Sequence, residues 1–354
     1  VCGRRPVPFM CGLFARARSG AQSVRLYAWN TVGAMLGAFS AGYWLLPTFG
    51  LSRTGFLEIG GNFGVALIAF LLAKRYGAVD ADGEQLLTEQ RVKFDFIVYR
   101  PILVSIGLVG FFSLAYEILW TRILLLFLGN TSYAFSMMLG AYLVGIAIGG
   151  VLYARLAHSG MNEKKLFLTL SALMGLAVMA SAPHYDKLAY LFQFAHEYSA
   201  ERWWLLSLFS FLIVFVVIAV PTILSGAMLP AAVAIIDPGK GRTGEGVGLV
   251  VLHNTVGAVL GSLVAGFLML PLLGLLDSFR YLAIGQLLLV LLLTCHYRKQ
   301  VRGCRMPVIL TVALLLVLFP VNWNMELVNS GDDCYAPKYA RMGGLDDVRG
   351  KAKL

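Results

Sequence analysis

Few residues of this chain could do chemistry, and the most conspicuous of them interrupt an apolar run. From Gly110 to Asn130 the sequence reads GFFSLAYEILWTRILLLFLGN, and Glu117 and Arg122 are its only charges. An acid in apolar surroundings needs a counter-charge, a proton or a water-lined space. Three uses are open. Glu117 and Arg122 form a structural ion pair, or the acid holds an amine cation, or it relays protons. Residues five apart point about 140° away from each other on a regular helix, whereas facing pairs are three or four apart. Direct pairing therefore requires a bend. As one helix, Phe96 to Leu128 would be about 50 Å long. That exceeds an apolar layer of about 30 Å and is too short for two crossings. The expectation is an elbow at Glu117–Arg122, with Trp120 at the boundary and Ile123–Leu128 turning back to end at Gly129.

Other polar residues inside apolar segments are fewer. Glu58 shares a helix face with Asn62, four residues on. Asn30 and Asn254 open two closely similar segments. Helix capping, interhelical hydrogen bonding and ligand binding are the roles open to such residues. The five cysteines form no C-x-x-C pair, so no metal site, cofactor or disulfide framework is indicated.

The elements that must position these residues follow from composition. The 354 residues are 58% hydrophobic and 14% charged, with mean hydropathy +0.76. Soluble domains carry roughly 25% charged residues; here there are too few to coat a water-facing surface. Apolar stretches longer than the ~18 residues that cross a bilayer recur, and Thr131–Tyr153 holds no Asp, Glu, Lys, Arg or His. An all-α, polytopic transmembrane bundle is expected, with the lipid bilayer as its main partner. About nine spans are expected, near 26–49, 55–73, 99–118, 131–153, 166–182, 203–222, 246–270, 279–295 and 306–320.

The net charge of +10 is accounted for without nucleic acid. Basic residues collect in alternate connections: Arg4, Arg5, Arg16, Arg18 and Arg25 first, then Lys74, Arg75, Arg91, Lys93 and Arg100, then Arg155, Lys164 and Lys165. Lys240 with Arg242, and Arg298 with Lys299, Arg302 and Arg305, complete the series. Cytosolic loops carry such an excess. The N-terminus is thus expected in the cytosol and the tail from Val321 on the outer side, which puts the Glu117 elbow at the outer boundary. Pro183–Arg202 is expected to be an outer loop lying on the headgroups.

The chain also repeats itself. NTVGAMLGAFSAGYWLLPTFGL (30–51) aligns without gaps to NTVGAVLGSLVAGFLMLPLLGL (254–275), with thirteen of 22 positions identical. An even number of spans separates the copies, so they run the same way, as in transporters with parallel repeats. The second copy holds six spans and the first only its last two, so about four spans are expected ahead of Val1. The organisation expected is residues 1–75 as the end of a truncated first repeat and 76–96 as a cytosolic linker. Residues 97–300 form a complete second repeat, 301–321 an extra span and 322–354 an extramembrane tail. Gly33/Gly37, Gly145/Gly149 and Gly257/Gly261 are G-x-x-x-G pairs that allow close helix packing, within one bundle or between copies.

AYEILWTRILLLFLGNTSYAFSMMLGAYLVGIAIGG (115–150) resembles the membrane region of bacterial spermidine synthase-like proteins. The match runs through Tyr116, Glu117, Trp120, Arg122, Leu128, Gly129, Tyr133, Ala134 and Phe135. PTILSGAMLP (221–230) and the repeated N-T-x-G-A-x-x-G extend it over about residues 20–320. The resemblance implies a major-facilitator-like fold, a bacterial inner membrane and a link to polyamine metabolism. It adds Tyr116 to the candidate site and implies a catalytic aminopropyltransferase domain, fused or separate, as a partner. The Gly-rich turn that such a domain needs does not appear here, so catalysis is not expected in this chain. The rival readings are a carrier of polyamines or other small organic cations, and a scaffold without a ligand. An acid-lined cavity between the two copies would favour the carrier; a space filled by side chains would favour the scaffold.

Overall fold

Lipid offers a backbone no hydrogen-bond partners, so apolar segments of this length close their own bonds as helices. The computed structural model describes residues 20–76, 96–129, 131–157, 160–199, 202–236, 243–297, 323–324 and 328. Among them there is no strand. Six continuous stretches of the described residues are long and apolar enough to cross a membrane: Asn30–Leu72, Tyr99–Leu128, Ser132–Ala157, Glu163–Ser199, Trp203–Ile236 and Gly246–His296. This is an all-helical integral membrane protein.

In chain order the helices are α1 (Gly20–Ser40), α2 (Leu46–Tyr76), α3 (Phe96–Leu128), α4 (Ser132–Ala157) and α5 (Glu163–Ser181). They continue with α6 (Leu188–Ser199), α7 (Trp203–Ile236), α8 (Thr243–Leu263) and α9 (Leu270–His296). Eight of the nine expected spans fall on the six stretches, and the ninth, 306–320, lies outside the described residues. The counts differ because two stretches, of 43 and 51 residues, each hold two expected spans. At ~1.5 Å per residue either would far overrun a bilayer as one rod. Each is broken instead at a single residue of left-handed φ, Gly50 (φ 73°, ψ 174°) and Gly274 (φ 75°, ψ −178°). Glycine suits that conformation because it lacks the Cβ that would clash.

The two similar segments depart from α-helix in the same way. α1 passes into a π-helical turn at Ala41–Leu45, then Pro47, then Gly50. α8 passes into one at Val264–Met269, then Pro271, then Gly274. Their surroundings differ. α8 lies along α3, and α9 packs on α5 and α3, whereas α1 lies against α4 and α2 meets little beyond the π turn. Consequently the apolar side chains of α2, Phe56, Phe63 and Phe70 among them, are exposed.

The core follows α3. Ile102, Leu103, Ile106, Leu119, Trp120 and Ile123 are fully buried, and α3 packs chiefly on α8, α9 and α7. The expected elbow at Glu117–Arg122 is absent: α3 runs unbroken for 33 residues. No Gly or Pro occurs between Phe111 and Leu128 to end it, and the chain reverses only at Gly129 (φ 74°). The Pro183–Arg202 loop is also mostly helical, as a 3₁₀ turn (Ala182–Lys187) followed by α6. Leu188, Ala189, Phe192 and Ala195 of α6 are buried, while Phe194 and Tyr198 face outward. Two of the G-x-x-x-G pairs lie at tight crossings. A Cβ on Gly145 would overlap Thr222, and one on Gly149 would overlap the Ile223 carbonyl, both on α7. On α8, Gly257 and Gly261 press on the carbonyls of Gly107 and Phe111 of α3. Gly33 and Gly37 of α1 have no described atom within 4 Å of such a Cβ.

Candidate functional site

On α3, Gly110, Ser113, Leu114 and Glu117 recur at three- and four-residue spacing, which places them on one helix face. That face looks into a cavity of about 200 Å³ bounded by α3, α4, α7 and α8. Its polar lining is Ser113, Glu117, Tyr142, Ser225 and Asn254. Small residues make the room: Gly110, Gly226 and Ala258 line the same space. Gly110 fits so closely against Asn254 that a Cβ there would overlap its carbonyl oxygen.

The hydroxyls are linked. Ser113 Oγ lies 2.7 Å from the Tyr142 hydroxyl and 2.8 Å from Ser225 Oγ, so three helices meet through one serine. Glu117 sits one turn along α3 from this centre. Among the described residues no side chain makes an ion pair or a hydrogen bond with its carboxylate. Thr121 donates only to the Glu117 main-chain carbonyl, at 2.8 Å. A carboxylate set in a bundle without a counter-charge is costly. The arrangement therefore suits a cation, which the carboxylate neutralises while hydroxyl oxygens and the Asn254 amide oxygen accept its hydrogen bonds.

Arg122 is not that cation. As helix geometry dictates, it points elsewhere, exposed on a second and larger cavity of about 960 Å³. Leu126, Pro271, Leu276, Asp277 and Trp323 share this lining, and Asp277 is itself paired with Arg280 at 3.0 Å. Tyr116 faces a third way. It is fully buried and stacked between Trp120 (centroids 5.6 Å apart) and Phe279 (6.4 Å). Its hydroxyl has no hydrogen-bond partner among the described residues.

The structure thus brings Glu117 and Asn254 to one cavity and leaves Arg122, Tyr116, Glu58 and Asn30 outside it. Glu58 and Asn30 are exposed on α2 and α1 and line neither cavity. Ser113, Tyr142 and Ser225 were not among the sequence-derived candidates. The available signal was modest: Ser113 lies four residues before Glu117, and Ser225 lies in the PTILSGAMLP block. Comparison with known proteins identifies no relative: no family model, no curated protein and no solved structure matches the chain.

Proposed function

We propose that this chain is the membrane region of a spermidine synthase-like protein and that its bundle binds a small organic cation of the polyamine class at Glu117. The family reading rests on the three sequence blocks, of which the first carries Glu117 itself. The observation that carries the binding reading is an acid with no counter-charge among the described residues, facing a cavity with three linked hydroxyls. The cavity lies among α3, α4, α7 and α8, inside the 97–300 segment rather than between the two copies. At about 200 Å³ it is smaller than the ~300–1,000 Å³ of pockets for drug-sized ligands. One ammonium group with a short carbon chain suits it, so a linear polyamine would be held by one end.

The remaining assignments belong to the same reading. The basic connections favour a cytosolic N-terminus, and the family resemblance favours a bacterial inner membrane. The matching π turns, prolines and glycines of the two similar segments support a parallel, major-facilitator-like repeat. A catalytic aminopropyltransferase domain, fused or separate, would consume or release the amine that the bundle binds.

The test is calorimetric titration of the detergent-purified protein with putrescine and spermidine, before and after Glu117→Gln. Losing one partner of a buried charge pair costs at least about 2 kcal/mol, so the variant should bind at least about 30-fold more weakly. Equal affinity in the two proteins, or no binding by either, would overturn the assignment.

A further inference from the structure

Arg122 is the second charge of the apolar run on α3, and the Glu117 site does not use it. It is exposed on the larger cavity, of about 960 Å³, between α3, the π turn at Val264–Met269 and the start of α9. The walls are apolar: Leu126 lies one turn along α3, and Leu270, Pro271, Leu273 and Leu276 face it. Among the described residues the guanidinium has no acid partner, and Asp277 on the same lining is held by Arg280 at 3.0 Å. Leucine walls give water few polar partners to order it, so an arginine placed here calls for an anion. Trp323 borders the cavity with its indole N–H donating to the Ala182 carbonyl at 2.9 Å, and tryptophan belongs at the headgroup level of a membrane. Gly266 adds room. Its counterpart in the similar segment, Gly42, is pressed against Ser136, whereas a Cβ on Gly266 would meet no described atom within 4 Å.

We propose that this cavity binds one phospholipid with an anionic headgroup, its phosphate on the Arg122 guanidinium and an acyl chain along the leucine wall. A planar guanidinium meets two phosphate oxygens at once, and basic pockets between membrane helices take anionic lipid headgroups. The volume is at the upper end of the ~300–1,000 Å³ usual for small-molecule sites, which leaves space for chain carbons beside the phosphate. A zwitterionic lipid fits less well, because its ammonium meets no free acid on the described lining. The site lies apart from the Glu117 cavity and does not rest on the amine reading.

The test is native mass spectrometry of the detergent-purified protein, titrated with phosphatidylglycerol and with phosphatidylcholine of the same acyl chains. The parent protein should retain one phosphatidylglycerol in preference to phosphatidylcholine. Arg122→Gln should weaken that retention at least about fivefold, the worth of one basic residue at an anionic lipid surface, and leave phosphatidylcholine unchanged. Arg122→Lys should restore part of the preference. Gly266→Phe fills the open space with Arg122 intact and should also release the lipid. Equal retention of the two lipids by the parent, or undiminished phosphatidylglycerol on Arg122→Gln, would overturn the proposal. Full retention by Gly266→Phe would put the lipid outside the cavity and overturn it too. So would displacement of the lipid by glycerol 3-phosphate, which would assign Arg122 to a soluble anion.

Discussion

α3 has two faces that differ by one residue in register and serve opposite ends. Tyr116, Trp120 and Ile123 turn to α9 and the 3₁₀ turn, where Trp120 Nε1 donates to the Tyr185 hydroxyl at 3.0 Å. Phe279 closes on Tyr116, Trp120 and Tyr185 together. Gly110, Ser113 and Glu117 turn to α4, α7 and α8, where small side chains leave a space and polar groups line it. In lipid there is little hydrophobic force between helices, so packing must hold the bundle. The aromatic face supplies that packing, while the second face borders a cavity and carries an acid with no counter-charge among the described residues.

The largest expected effect comes from breaking the packed face. Trp120→Ala removes a fully buried indole and its bond to Tyr185, and should destabilise the protein by about 3–5 kcal/mol. Thermal unfolding in detergent would register this as a large drop in midpoint. If the midpoint moved no more for Trp120→Ala than for Glu117→Gln, the division of labour between the two faces would be wrong.

The α8 contact gives a smaller and more discriminating test. Gly257→Leu forces a side chain into the Gly107 backbone, and overpacking of this kind costs typically about 1–3 kcal/mol. Gly33→Leu makes the same change at the matching position of α1. In the 354-residue chain it meets no described atom and also relieves a helical glycine, so it should be neutral or stabilising by up to about 1 kcal/mol. Equal losses in the two variants would mean that the α1 face is already covered.

The sequence made some of this legible for definite physical reasons. A chain this apolar must close its own backbone hydrogen bonds, so the all-helical membrane fold follows from composition. Glu117 and Asn254 stand out because polar groups are costly in lipid. The direction of Arg122 follows from a five-residue separation, provided that the helix stays regular. The expected elbow fails at that proviso: helix length exceeds bilayer thickness, yet without Gly or Pro between Phe111 and Leu128 nothing local ends the helix. The hydroxyl cluster was out of reach. Ser113 meets Tyr142 and Ser225 across separations of 29 and 112 residues, and only the crossings at Gly145, Gly149 and Gly226 bring α4 and α7 close enough to join them.

Tyr116 offers the finest test, because its sign carries the meaning. The resemblance puts it beside Glu117 as a candidate site residue, yet α3 turns it into the aromatic stack with its hydroxyl unpartnered. A buried hydroxyl without a partner costs about 1–3 kcal/mol of desolvation. Tyr116→Phe keeps the ring, and with it the stacking on Trp120 and Phe279, while removing that cost. The variant should therefore gain about 1 kcal/mol in detergent unfolding and bind spermidine as the parent protein does. A loss of stability would mean that the hydroxyl has a partner in solution. A loss of binding would place Tyr116 with Glu117 in one functional unit, and the two faces of α3 would no longer be separate.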